Sequence, residues 1–204
     1  SNTPVAFTAM VFIPAGDKKT RFVIHLGMTM IAKEHRGQRL QTPMYSKVLM
    51  LSMINQQRMS FTITNIAASP AGIGATSDYF LDVYPSYHGQ VELKPFHQQV
   101  AEYVLGNYRH EFGCSEGAEF EGDTFVVRGS NDPSGGGAFQ FIKDDPVSRY
   151  KVEACNEFCR SRLRYVDGDE QFQVGRVHLI KSYLAMRKSR KKLKMAKIQK
   201  KQIS

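Results

Sequence analysis

Residues 21–66 constrain the fold more than any other stretch. RFVIHLGMTMIA (21–32) is apolar and rich in β-branched side chains, as a strand requires. It runs directly into a basic turn, EHRGQRL (34–40). An apolar pattern of helical spacing follows at Tyr45, Val48, Leu49, Ser52 and Met53. Thr42-Pro43 reads as an N-cap and first helical position, where the missing proline N–H costs nothing. Gln56-Gln57-Arg58 ends the period, and FTITNI (61–66) reads as a second strand. Strand, turn, helix and strand in immediate succession place the chain among α/β architectures.

The neighbouring segments extend this unit. VAFTAMVFIP (5–14) and residues 21–32 flank AGDKKT, a solvated turn, and together predict a hairpin. Ser69-Pro70-Ala71-Gly72-Ile73-Gly74 reads as a break, and residues 77–84 as a short helix stopped by Pro85. Lys94-Pro95 opens a helix to about Phe112, with Phe96, Val100, Tyr103, Val104 and Tyr108 apolar. Residues 124–128 suit a short strand, 146–165 a helix and 171–179 a strand. Asn131-Asp132-Pro133-Ser134-Gly135-Gly136-Gly137 is a loop whose glycine triplet lacks the Lys-Ser/Thr that closes a P-loop.

The formal charge of +9 is not spread over the chain. Residues 181–204 carry ten basic side chains and no acid, leaving 18 basic against 19 acidic residues elsewhere. Such a tail suits weak contact with a polyanion, nucleic acid or an anionic membrane, or with a protein partner. Three cysteines are an odd number and suit a reducing compartment. Cys155 and Cys159 share a helical face, but no histidine completes a tetrahedral site, so buried thiols are expected and no metal. No apolar run approaches the ~20 residues that cross a bilayer, and no leader-like segment opens the chain. The expectation is a soluble, cytoplasmic (intracellular) protein.

Glu34-His35-Arg36-Gly37-Gln38-Arg39-Leu40-Gln41, with the helix, the second strand, Asn65 and a tyrosine-bearing segment after it, resembles the central part of the GNAT superfamily of acyl-CoA-dependent N-acetyltransferases. The resemblance covers residues 5–85. It implies an α/β (α+β) fold with a mixed, mostly antiparallel central sheet flanked by helices. Residues 1–85 would form the acyl-CoA-binding core and 86–180 would complete the fold or the substrate side, ahead of the basic tail 181–204. The implied co-substrate is acetyl-CoA or another acyl-CoA, and the implied acceptor is an amine on a small molecule or a protein. Ile31, Arg36, Gly37, Gln38, Arg39, Leu40, Gln41 and Asn65 are the cofactor-binding residues that it implies.

Physical chemistry supports an anion at such a turn, because unpaired N–H groups and the helix dipole both favour one. Two positions that the family fills with glycine are Arg39 and Gln41 here, so side chains stand where bare backbone would approach phosphate. Arg36 and Arg39 supply guanidinium groups instead. The alternative is a turn that has lost the cofactor and only caps a helix. The resemblance further implies His25 as general base and Tyr79 as acid, with Tyr84 as the second choice. Read without chemistry, the chain is a binding module whose tail docks a polyanion or a partner.

Overall fold

The computed structural model describes residues 3–15, 22–36, 38, 40–89, 91–131, 148–178, 180 and 181. The expected glycine-rich loop (132–137) and nearly all of the basic tail (182–204) lie outside the described residues. So do Gly37 and Arg39 of the basic turn.

Apolar, β-branched and aromatic residues form β1 (Ala6–Pro14) and β2 (Phe22–Ile31), which make an antiparallel pair. The chain then turns through a short 3-10 segment (Lys33–His35) into α1 (Gln41–Asn55) and returns as β3 (Ser60–Ala67). Because α1 carries the chain back to the same end, β3 lies parallel to β2. Next come α2 (Pro70–Tyr79), β4 (Leu81–Tyr84) and α3 (Pro95–Tyr108). The short strands β5 (Glu119–Glu121) and β6 (Val126–Arg128), α4 (Glu153–Arg162) and β7 (Glu170–His178) follow. Among the described residues seven strands form one open sheet in the order β1-β2-β3-β7-β6-β5, and β4 also pairs with β7. Every pairing except β2–β3 is antiparallel. The expected mixed, mostly antiparallel sheet flanked by helices is therefore present.

Strand alternation sends successive side chains to opposite faces, and each face has its own core. On one face α3 lays Ala101, Val104 and Leu105 against Ile13, Val23, Phe125, Phe172 and Val174. On the other, Leu49 and Met53 of α1 pack on Ile24, Leu26, Phe61, Ile63 and Val177. A third cluster joins Ile73 of α2 to Cys155, Cys159 and Leu163. All three cysteines are buried and unlinked.

Four local expectations are corrected. α1 begins at Gln41 with Leu40 as an N-cap that makes no side-chain bond, so Pro43 lies within the first turn. The supposed break at Pro70 is a helix start: the Ser69 hydroxyl accepts from the Gly72 amide, and proline takes the first turn. Gly74 is tolerated inside that helix because the Tyr150 ring occupies the place its Cβ would fill. Residues 81–84 are consequently strand and not helix, and the helix expected over 146–165 shortens to Glu153–Arg162.

A forked sheet at the candidate functional site

Parallel pairing between β2 and β3 runs only from Val23/Thr62 to Leu26/Asn65, although β2 continues to Ile31 and β3 to Ala67. The cause lies on the other side of β2. Thr8 faces Thr29 and Met10 faces Leu26, so Ala9 stands opposite two residues, Gly27 and Met28. This β-bulge bends β2 and rotates its backbone groups. Gly27 is required there, since a Cβ would lie 2.7 Å from the Ala9 carbonyl oxygen. Beyond the bulge β2 stays with β1 and leaves β3, so the sheet forks above Leu26 and Asn65.

The Ala32 amide donates to the Val5 carbonyl (2.9 Å), which fixes the alternation of this ladder. Met30 turns its backbone groups toward β1, and Thr29 and Ile31 turn theirs toward the fork. Arg36 Nε donates to the Ile31 carbonyl (3.2 Å) and so places a guanidinium at the mouth. The N-terminus of α1 follows within a few residues, with no acidic side chain in its first turn. Ile31, Arg36, Gln38, Leu40 and Gln41 thus share one end of the sheet, while Gly37 and Arg39 fall outside the described residues.

Asn65 is the last residue of β3 paired with β2, and it is buried. Its Nδ2 donates to Gln173 Oε1 (3.2 Å), and Gln173 Nε2 donates in turn to Ser77 Oγ and the Pro85 carbonyl. This amide chain locks β3, β7 and α2 together just below the fork.

His25 and Tyr79 are not brought together. His25 is 2% exposed, on the face of α3, stacked on Phe112 at 3.7 Å with Nδ1 2.9 Å from Thr64 Oγ1. Burial lowers its pKa to about 3, so the imidazole is neutral and weakly basic. The ring titrating near 6.5 that the sequence suggested is not what this environment provides. Tyr79 packs on the opposite face, against the cluster beneath α1. Tyr84 stacks on His97, meets the Phe125 ring edge-on and donates to the Asp123 carbonyl.

Two groupings have no signal in the sequence. Tyr45, in the first turn of α1, lies 3.0 Å from the Thr29 hydroxyl, which lies 2.9 Å from that of Thr8. These three hydroxyls line the β2 arm of the fork on the face of α1. Farther off, the nearly buried Asp78 carboxylate accepts from Tyr87 (2.6 Å), His88 (3.1 Å) and Tyr150, with Lys151 at 3.5 Å. Burial and the Asp78 carboxylate push both phenols well above the ordinary tyrosine range, so they remain donors. Each partner is far from Asp78 in sequence or masked by ordinary composition, so no spacing rule finds the knot.

A hollow of about 460 Å³ lies at the β5–β6 end, lined by Arg128, Arg164, Glu119 and Asp167 among others. Its cations are already neutralised, Arg128 by Glu121 and Asp169, Arg164 by Asp167 and Asp169. It is not an anion site. Among the described residues no group of His, Cys, Asp and Glu suits a metal ion, and no helix is long and apolar enough to cross a membrane. Comparisons with family models, curated proteins and solved structures returned no match.

Proposed function

We propose that the chain transfers an acyl group from an acyl-CoA to an amine, with the cofactor seated in the fork between β2 and β3. The observation that carries this reading is the end of parallel pairing at Leu26/Asn65, directly below a basic turn and an uncapped helix start. A strand with unpaired N–H and C=O groups binds an extended chain of amides by main-chain hydrogen bonds. Thr29 offers such groups, and Ile31 its N–H, since the Ile31 carbonyl already accepts from Arg36 Nε. A diphosphate at the far end of the same ligand meets the N-terminus of α1 and the Arg36 guanidinium. Few ligand classes combine an amide chain with a diphosphate, and coenzyme A is one. Of the residues implied by the GNAT resemblance, the described ones Ile31, Arg36, Gln38, Leu40, Gln41 and Asn65 lie around the fork, which supports the reading.

In the reaction the amine nitrogen attacks the thioester carbonyl, the carbon–sulfur bond breaks, and the amide forms as nitrogen gives up a proton while the thiolate takes one, a net transfer of one proton from nitrogen to sulfur. Tyrosine hydroxyls on the face of α1 suit that last step: Tyr79, from the resemblance, and Tyr45, through its contact with Thr29. His25, buried and weakly basic, holds the base of the fork through Thr64 and Phe112 and is not assigned the ammonium proton.

Calorimetry with acetyl-CoA tests the seat. The expected result is saturable binding of one molecule per chain, weakened about tenfold in Arg36→Ala, a loss typical of a charge-assisted contact. Absence of both heat and thermal shift at about millimolar ligand would remove the proposal. Release of free thiol in the presence of amines then separates a transferase from a protein that only binds the cofactor.

A further inference from the structure

Among the described residues β1 ends the sheet with an unguarded edge. Natural edge strands are short, carry charge or proline, or are covered. β1 is nine residues long, residues 3–14 contain no ionisable side chain, and its one proline is the last residue. No strand pairs with its outer side among the described residues. The bulge does not spoil that edge, because the extra residue belongs to β2. The Val5 carbonyl accepts from Ala32 and the Ala9 carbonyl points at Gly27, so the odd residues of β1 bond inward. Ala6, Thr8, Met10 and Phe12 therefore direct their N–H and C=O groups outward.

Apolar side chains accompany this open ladder on both faces. Val5, Phe7, Phe12, Met28 and Met30 are between 39% and 55% exposed. At about 150–250 Å² for a large side chain, they leave roughly 400 Å² of apolar surface. The strand backbone raises the coverable area toward the ~800 Å² per partner of a standard interface.

We infer that β1 is a self-association edge, pairing antiparallel with β1 of a second copy through residues 6–12 about a two-fold axis at Ala9. Three observations select a second copy. An antiparallel edge is self-complementary, so the same residues serve both sides. The axis at Ala9 sets Ala6 opposite Phe12 and Thr8 opposite Met10, each pair with outward-directed backbone groups. Outside the basic tail the chain is close to neutral, at −1, and residues 3–14 carry no charge of either sign, so two copies of β1 meet without local repulsion. The two sheets then run on as one, with Phe7 and Met30 of each copy on a shared apolar face. The inference does not depend on the cofactor.

The test uses the full chain. Ala9 of each copy falls in a non-hydrogen-bonded pair, where Cα atoms approach to about 4.5 Å, within reach of a disulfide. Ala9→Cys is expected to cross-link under mild oxidation, since the native thiols are buried, whereas Val5→Cys is not. Light scattering of the wild type should give twice 23.1 kDa, with the monomer fraction rising on dilution. Phe7→Lys should raise the dimer dissociation constant by about tenfold or more at unchanged circular dichroism. A wild type that stays monomeric overturns the inference and leaves the edge to a different strand. A dimer that persists in Phe7→Lys, or in which Ala9→Cys does not cross-link, overturns it as well.

Discussion

Replacing Gly27 by alanine tests the bulge that opens the fork. The new Cβ would sit 2.7 Å from the Ala9 carbonyl oxygen, whereas ordinary contact begins at 3.4 Å. The backbone must therefore yield by about 0.7 Å, and the obstructing atom belongs to a ladder residue with no rotamer to escape into. Strain of this kind costs about 1–3 kcal/mol. For a chain of this size, about 2 kcal/mol lowers Tm by roughly 4–8 °C. The control is Gly106→Ala in α3, where a Cβ meets nothing within 4 Å. That change should stabilise by up to about 1 kcal/mol, because alanine is the better helix former. Thermal melts of both variants beside the wild type measure opposite signs from one substitution type. Titration of Gly27→Ala with acetyl-CoA should also show weaker binding, since the bulge sets where β2 leaves β3. A Gly27→Ala protein that melts with the wild type would refute the reasoning, because the clash and the bulge are one and the same contact of Gly27 with Ala9.

Other expectations follow from buried groups. His25 takes up a proton near pH 6.5 in the unfolded chain but only near 3 in the folded one, so falling pH favours unfolding between those values. Stability should be intact above pH 6.5 and lower by about 2 kcal/mol at pH 5, a dependence that chemical denaturation should find reduced in His25→Gln. Asp169 is fully buried; burial alone would raise its pKa, but the Arg164 amide, the Arg128 guanidinium and the Gly129 amide hold it below the carboxylate range. Its contribution is present above about pH 4 and lost as pH falls further, and Asp169→Asn should cost about 1.5–3 kcal/mol at neutral pH by weakening a charge-assisted bond to Arg128, which keeps its pair with Glu121. Cys114, pushed up to about 11 by burial, should resist a thiol reagent in the native state together with Cys155 and Cys159. Labelling should appear only on unfolding, and prompt native labelling would contradict the packing.

The long periodic segments were legible in the sequence because their patterns come from one dominant cause. Residues 5–14 and 21–32 are apolar and rich in β-branched and aromatic side chains because the sheet carries a core on each face, and α1 and α3 repeat at helical spacing because each lays one side on it. The stretch from Ser69 to Pro85 misled because glycine and proline usually break structure. There the proline starts a helix, and Gly74 exists for the ring of Tyr150, a contact 76 positions away that no local rule detects. The candidate site was legible in position but not in roles. The basic turn and α1 meet at the end of β2, yet the fork depends on a bulge whose partner, Ala9, is unremarkable in sequence. His25 and Tyr79 were separated by strand alternation, because Ile24 and Leu26 point toward α1 and the residue between them points away.

β7 bonds to β3 along one side and to both β4 and β6 along the other, though it follows them all in the chain. During synthesis β3 therefore waits for more than a hundred residues before its antiparallel neighbour exists, and contacts so distant slow folding. In that interval its edge and the apolar faces beside it stand open to the solvent. A nascent chain halted before residue 170 should need a chaperone's shelter.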